Sequence, residues 1–173
     1  MNIKVKIMDP DIEARYKILP VQDNHMCFAC GPANPAGLRM RFAAGKDRVV
    51  SYLRVPDHLR GWSNMVHGGV VSTILDEIMS WSAIHLFKSV ILTKSMTVEF
   101  KKPVHVGQPL KAVGTVLEIR NEREAVMKGQ LYSQAENELH AAAEGVFALL
   151  KPKVALKLGI VDEQTLKDLL PEI

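Results

Sequence analysis

The sequence predicts an α+β domain in which a curved antiparallel sheet wraps around one long central helix. Three observations support this fold class. A mostly apolar helical segment begins at Gly68 and continues past Phe87, with no proline and no further glycine after Gly69. Strand-like segments lie on both sides of it, two before and four after. The chain length of 173 residues is typical of one domain with short extensions.

Composition and charge narrow the classes of function. Hydrophobic residues make up 47% and charged residues 24% of the chain, as in ordinary soluble globular proteins. The formal charge of +3 comes from scattered lysines and arginines, so it favours no nucleic-acid partner but is compatible with a small polyanionic ligand. No apolar run reaches about 18 residues, and the N-terminal segment lacks the apolar core of a signal peptide. We therefore expect a cytoplasmic protein with no membrane partner.

The first part of the chain predicts an arm, a loop and two strands. Residues 1–24 show no sustained periodicity and form the predicted N-terminal arm, with one helical turn around residues 11–16. Residues 24–37 are rich in turn-forming residues. Apolar and basic residues alternate over Leu38–Phe42, which predicts a half-buried strand. A second strand is predicted over residues 48–55.

The turn-rich segment contains the two cysteines of the chain, Cys27 and Cys30. A C-x-x-C pair can be a redox pair, half of a zinc site or two small buried residues. Structural zinc needs about four ligands, and the chain has no second cysteine pair, although His25 could add a third ligand. We expect a loop that holds no metal. The other histidines show no spacing that suggests a metal cluster (His58, His85, His105 and His140).

The central helical segment is apolar around most of its circumference, so it must be buried on most sides. Its polar exceptions therefore carry information, because a buried carboxylate is costly unless it is paired, hydrogen-bonded or used. These exceptions are Ser72, Thr73, Asp76, Glu77 and Ser80.

The second half of the chain predicts four long strands, over residues 93–100, 109–119, 124–133 and 140–151. Short turns between them favour antiparallel hairpins. Asp162, with Thr165 three positions later, predicts a capped helix through Leu170 that ends at Pro171. The predicted units are the arm over residues 1–24, a main domain over residues 25–153 and a helical tail over residues 154–173.

A six-stranded sheet that curls around one helix is the hotdog architecture. Such a sheet leaves edge strands and part of one face uncovered, and pairing with a second copy would complete it. We therefore expect a homodimer or a homotetramer.

Three segments carry a resemblance to a known family. The segment VHGGVVSTILDE, Val66–Glu77, resembles the start of the central helix in the PaaI-like branch of the hydroxybenzoyl-CoA thioesterase superfamily. The segment TKSMTVEFKKPV, Thr93–Val104, resembles the strand that follows this helix. The segment from Cys27 to Leu38 is similar to one found in a subset of the same branch. The resemblance spans about residues 27–150 and implies a hotdog-fold enzyme, an acyl-CoA thioesterase that uses no metal or organic cofactor.

The resemblance and the residue types together suggest how such an enzyme would work. Gly68 and Gly69 offer backbone N–H groups at the positive end of the helix dipole, which would form an oxyanion hole for the thioester carbonyl. Asp76 would act as general base or as nucleophile. Seven residues separate Asp76 from Gly69, roughly 10 Å along one helix. One thioester cannot reach both groups, so we expect Asp76 to act from the facing subunit. Glu77 points elsewhere and is interpreted as its structural or solvated neighbour.

Four further residues are candidates for the site. His67 could orient water or the carbonyl, or simply cap the helix. Thr93 could hydrogen-bond the attacking water or Asp76. Many relatives carry an asparagine six residues before the histidine, where this chain has Gly61, and Asn64 is the candidate replacement. Trp62 could line the acyl groove. Basic residues near strand ends could meet the phosphates of coenzyme A (Lys101, Lys102, Arg120 and Arg123).

Two other functions stay open. An acyl hydratase or dehydratase can use the same fold, but it usually pairs a histidine with a carboxylate, and the spacing here matches that pattern less well. A non-catalytic acyl-CoA-binding module would keep the groove without the chemistry. The length and chemical class of the acyl chain depend on loop and interface geometry that the sequence does not reveal.

Overall fold

The protein is described by a computed structural model that covers residues 16–170. Its central helix, α1, spans Gly68–Phe87, and a 3₁₀ turn at Asp57–Leu59 precedes it. The strands are β1 (Lys17–Ile18), β2 (Ala43–Ala44), β3 (Arg48–Leu53), β4 (Val90–Phe100), β5 (Leu110–Asn121), β6 (Glu124–Ser133) and β7 (Leu139–Leu150). Two short helices follow, α2 (Pro152–Lys157) and α3 (Glu163–Leu169).

The strands form one antiparallel sheet in the order β1-β2-β3-β5-β6-β7-β4. Helix α1 packs against β3, β5, β6, β7 and β4, so the sheet wraps around it as predicted. The fold is the hotdog fold. Within residues 16–170, strand β4 pairs with β7 on one side and with no strand on the other, so it forms a long edge of the sheet.

Helix α1 is the centre of the core. Its buried residues recur on nearly every face, and its last turn ends at Lys88, which takes the left-handed conformation with φ of 50°. By length and composition alone α1 could cross a membrane, but 61% of its most apolar window is buried within the domain. A buried core helix meets the same criteria, so this observation is weak support for a membrane span.

The sheet approaches the helix most closely at two paired glycines, Gly114 on β5 and Gly129 on β6. A Cβ atom on Gly114 would lie 2.2 Å from the Ser82 hydroxyl and 2.5 Å from the carbonyl oxygen of Ile78. A Cβ atom on Gly129 would lie 3.1 Å from the carbonyl oxygen of Leu75. The strands can press against the helix backbone here only because these residues have no side chain.

The prediction of a strand over Leu38–Phe42 is wrong. Leu38, Met40 and Phe42 are buried as their alternation indicates, but the segment joins no strand ladder. The N–H groups of Leu38 and Met40 donate instead to the carbonyls of Phe28 and Ala29. The ladder begins only at β2, which pairs with both β1 and β3.

The two ends of the chain depart in part from the predicted units. Strand β1 lies within the predicted arm and adds a seventh strand to the sheet, while the helical turn predicted around residues 11–16 falls almost entirely outside the described residues. At the other end, Asp162 caps α3 by accepting the Thr165 N–H at 2.6 Å, which confirms the predicted cap. Leu170 is buried, and Pro171 lies outside the described residues.

Candidate active site

The N-terminus of α1 is capped by His67. The Gly69 N–H donates a 3.0 Å hydrogen bond to Nδ1 of His67, and the Val70 and Val71 N–H groups donate to the His67 carbonyl. This arrangement corrects the prediction that the Gly69 N–H is unpaired. It also gives His67 the capping role that its position allowed, with Nδ1 acting as the acceptor.

The Gly68 N–H is the donor that stays available, since it has no hydrogen-bond partner among residues 16–170. A Cβ atom on Gly68 would make an ordinary van der Waals contact with the ring of Phe100, at 3.7 Å, so this position is not tightly packed. The glycine lies in a groove of about 310 Å³ that is also lined by Met65, Phe100, Lys101 and Lys102. A carbonyl oxygen in this groove could reach a helix-terminal N–H.

Asp76 lies two turns further along α1, and its carboxylate is held by β4. The Thr93 hydroxyl donates a 2.8 Å hydrogen bond to Oδ1 of Asp76. Burial raises the pKa of the Asp76 carboxyl above its ordinary value, and the Thr93 hydrogen bond partly offsets this effect. A carboxylate with a raised pKa in a partly buried position is suited to proton transfer.

A β-bulge in β4 lies beside this pair. Thr93 pairs with Phe147 and Ser95 pairs with Val146, so Lys94 is the extra residue. Bulges re-aim side chains, and this one separates the register of Thr93 from that of the rest of the strand. Lys94 forms an ion pair with Glu124 on β6.

Gly68 and Asp76 are far apart within one chain. Helix α1 is continuous between them, and eight residues correspond to about 12 Å along the axis. A thioester carbonyl bound at Gly68 therefore lies beyond the reach of the Asp76 carboxylate of the same chain.

From the sequence, Glu77 is interpreted as either a structural or a solvated neighbour of Asp76. Its contacts within the chain favour the structural interpretation. Its Oε1 accepts a 3.0 Å hydrogen bond from Nε1 of Trp81, and its carboxylate also interacts with the Cys30 thiol. Burial, followed by the nearby Cys27 sulfur, raises the pKa of Glu77 to about 7. His25, Cys27 and Cys30 place one ligand atom each within 4.8 Å of one another. The fold also brings Glu77, about fifty residues later in the sequence, next to Cys30.

The loop before α1 places Asn64 and Trp62 on the surface. Asn64 is exposed, and its backbone carbonyl accepts the Val106 N–H. Trp62 is 85% exposed and is not among the residues that line the groove at Gly68. Gly61 packs against His67, because a Cβ atom there would lie 3.2 Å from the His67 Cα. An asparagine at position 61 would therefore need the loop to shift.

The basic candidates separate into two groups. Lys101 and Lys102 line the groove at Gly68, where each also pairs with a carboxylate, Glu99 and Glu138 respectively. Arg120 lies at the β5–β6 hairpin and pairs with Glu118 and Glu124. Arg123 follows it in the same turn.

Comparison with known families agrees with this architecture. The sequence model of a protein family described as "Thioesterase superfamily" matches residues 63–144, a range that contains α1 and most of the strands that wrap it. The acyl-coenzyme A thioesterase THEM4 of Rattus norvegicus is 28% identical over 116 residues, which cover 65% of this chain and 48% of that protein. The chain thus spans about half the length of the curated relatives it matches.

Two solved structures share the fold. Protein RHA08564, a thioesterase superfamily protein, matches with a TM-score of 0.65 at 20% identity, covering 72% of this chain and 60% of that chain. The PaaI protein of E. coli, from the phenylacetic acid degradation operon, matches with a TM-score of 0.59 at 16% identity, covering 65% of this chain and 80% of that chain.

Proposed function

We propose that the chain hydrolyses acyl-coenzyme A thioesters to the free acid and coenzyme A. The match of the thioesterase-superfamily model to residues 63–144 and the hotdog fold support this proposal. The observation that carries the proposal is the Asp76 carboxylate, partly buried, raised in pKa and oriented by Thr93 on the helix whose N-terminus faces a groove. The kinship with proteins named acyl-coenzyme A thioesterases supports the choice of thioester.

The thioester carbonyl would bind in the groove at the start of α1. Gly68 lines that groove and its N–H would be the donor to the carbonyl oxygen, while the positive end of the helix dipole would stabilise developing negative charge on the oxygen. The Gly69 N–H would join it only if His67 turned away, because Nδ1 of His67 now accepts that proton. Gly68 therefore replaces Gly69 as the main polarising group.

Asp76 would activate the attacking water. Its carboxylate takes a proton from water as the water oxygen bonds to the carbonyl carbon. The tetrahedral intermediate then expels the coenzyme A thiolate by breaking the C–S bond, and the proton held on Asp76 passes to the sulfur. Direct attack by the carboxylate would form an anhydride that water later cleaves, and both routes use the same two groups.

The two groups would come from different subunits. About 12 Å separates Gly68 from Asp76 along one helix, so a second copy has to bring its own α1 across the site. The exposed edge strand β4 supplies a surface for this pairing, with unpaired backbone groups and exposed apolar side chains at Leu92 and Phe100. A homodimer would contain two equivalent sites.

Lys101 and Lys102 would hold phosphates of coenzyme A at the mouth of the groove. Trp62, at 85% exposure, would be covered by the acyl chain or by the second subunit.

The test is a panel of short, long and aromatic acyl-CoAs scored for release of free thiol. We expect release above the uncatalysed background with at least one member, and loss of that release in the Asp76→Asn variant. Binding of acyl-CoAs without thiol release would instead support the non-catalytic module. Formation or loss of a double bond in an enoyl-CoA without thiol release would support the hydratase.

A further inference from the structure

A second cluster of reactive side chains lies in the loop that precedes β2. His25, Cys27 and Cys30 each place a ligand atom within 4.8 Å of the others, and Glu77, the residue that follows Asp76 on α1, interacts with Cys30. None of them has a part in the proposed hydrolysis. The sequence favours a loop that holds no metal; from the positions of these side chains we propose the opposite, that the four bind a thiophilic divalent cation of the zinc class and form a structural metal site.

The spacing of the ligand atoms suits such an ion. The two cysteine sulfurs and one ring nitrogen of His25 all lie within 4.8 Å of one another. Ligands on a tetrahedral zinc ion, with Zn–S bonds of about 2.3 Å, lie about 3.8 Å apart. Imidazole and thiolate are also the ligands that zinc prefers.

The loop backbone is shaped to support charge on a sulfur. The N–H groups of Ala29 and Cys30 hydrogen-bond to the Cys27 sulfur, and the Gly31 N–H donates to the Cys27 carbonyl at 2.9 Å. The turn is so tight that a Cβ atom on Gly31 would lie 2.4 Å from the Cys27 nitrogen. N–H groups directed at a sulfur stabilise the thiolate that a metal requires, and they fix its direction.

Glu77 would supply the fourth ligand after a side-chain movement, because its carboxylate lies outside the 4.8 Å group formed by His25, Cys27 and Cys30. The Cys30 thiol interacts with its carboxylate, so the carboxylate lies close to one of the sulfurs. Nε1 of Trp81 donates a 3.0 Å hydrogen bond to Oε1 of Glu77 and thereby orients the carboxylate. Trp81 is fixed in turn by stacking on Phe42, with ring centroids 4.7 Å apart. Ligating carboxylates are commonly oriented by a hydrogen bond of this kind.

The acidic groups around this cluster favour binding of a cation. Cys27, Cys30, Glu77 and the adjacent Asp76 are four acidic groups, and Cys30 is buried. Buried acidic groups are normally paired, neutralised or bound to a metal. A divalent cation would compensate the thiolates and the carboxylate together. A disulfide would account for the two cysteines alone, and it would leave the convergence of His25 and Glu77 without a purpose.

The cation would join the loop to the central helix. His25, Cys27 and Cys30 come from a segment without regular structure, and Glu77 comes from the middle of α1. Four protein ligands leave no open position, which is the arrangement of structural zinc sites. The ion would therefore stabilise the fold and would not take part in hydrolysis.

The experiment measures metal content in tag-free protein purified under reducing conditions and reconstituted with Zn²⁺. We expect about one zinc ion per chain. Cobalt substitution under anaerobic conditions should give a thiolate-to-cobalt charge-transfer band. Cys27→Ser and His25→Gln should each lower zinc affinity at least about tenfold, and Glu77→Gln should do the same. His105→Gln, in an exposed turn away from the cluster, is the matched control and should keep the metal.

Several outcomes would overturn the proposal. Reduced wild-type protein that takes up no zinc would do so, as would a Cys27–Cys30 disulfide whose reduction restores no metal binding. Unchanged zinc affinity in the Glu77→Gln variant would show that the Glu77 carboxylate is not a ligand and would overturn the four-ligand site. If a variant fails to fold, the wild-type protein still tests the proposal. Chelation should lower the Tm of the wild-type protein, and added zinc should restore it. None of these measurements depends on thiol release, so the site can fail while the proposed hydrolysis stands.

Discussion

The hydroxyl of Thr93 donates a 2.8 Å hydrogen bond to Oδ1 of Asp76, across seventeen residues of sequence. The bond engages Oδ1 of Asp76, and in the proposed mechanism the second carboxylate oxygen would act on the substrate. It also joins the central helix to the bulged part of β4, so strand geometry and carboxylate orientation depend on each other.

Replacing Thr93 with valine keeps the shape of the side chain but removes the hydroxyl. We expect kcat to fall about tenfold, the size of a hydrogen bond to a charged group, with little change in KM. Thr93→Ser retains the hydroxyl and should keep most of the activity. Equal losses in the two variants would show that Thr93 acts through packing and not through the hydrogen bond.

Replacing Asp76 with asparagine changes almost no volume. Because the amide can neither accept a proton nor attack a carbonyl, hydrolysis should fall about a hundredfold or more. Circular dichroism and sedimentation should show an unchanged fold and assembly. Activity close to that of the wild type would exclude Asp76 as base and as nucleophile.

Mixed dimers test whether the site is shared between subunits. Gly68→Val should block the groove, because its side chain would occupy the space in front of the free N–H. Asp76→Asn and Gly68→Val should each be nearly inactive alone. Mixing and re-equilibrating them should restore about a quarter of the wild-type activity, since half the dimers would be mixed and each would hold one intact site.

The mixed-dimer experiment has a clear negative result. If heterodimers form but no activity returns, the two groups do not serve one thioester from different chains. Gly69→Val is the comparison variant, because its Cβ would meet the His67 ring at 3.1 Å and disturb the cap as well as the groove. Only the Gly68 variant tests the free donor without that added contact.

The close approach of sheet and helix predicts a graded effect on stability. Gly114→Ala should lower the free energy of unfolding by about 1–3 kcal/mol, because the new methyl group would overlap the backbone of α1. Gly129→Ala should cost less, since its nearest neighbours are at 3.1 Å. Chemical denaturation checks the order. A larger loss at Gly129 would mean that the helix backbone yields more easily than the geometry indicates.

The helix and the long strands were predictable because their apolar residues repeat with the period of each element. The central helix begins at the predicted residue, and β6 has the predicted bounds. The alternation over Leu38–Phe42 was misleading because burial of one face does not require a strand ladder. In that segment the backbone donates to the preceding loop instead.

The site was predictable only in part. Asp76 and Thr93 were proposed from a spacing that resembles a known family, and the structure joins them. Which glycine keeps a free N–H depends on the orientation of the His67 ring, which no sequence pattern specifies. The meeting of His25, Cys27 and Cys30 with Glu77 depends on tertiary packing. His25, Cys27 and Cys30 are close together in the sequence and were considered as zinc ligands, but no sequence pattern indicates that Glu77 packs beside Cys30.

The two edges of the sheet are unequal, and this limits how the protein could aggregate or assemble. In residues 16–170 one edge is the eleven-residue strand β4, while the other is β1, with only two residues. Two copies that pair through β4 would each bury their long edge and leave only short ones exposed. Further chains could then not add through β4, because both long edges would be buried in the dimer. Pairing through β4 would therefore favour a dimer over a filament.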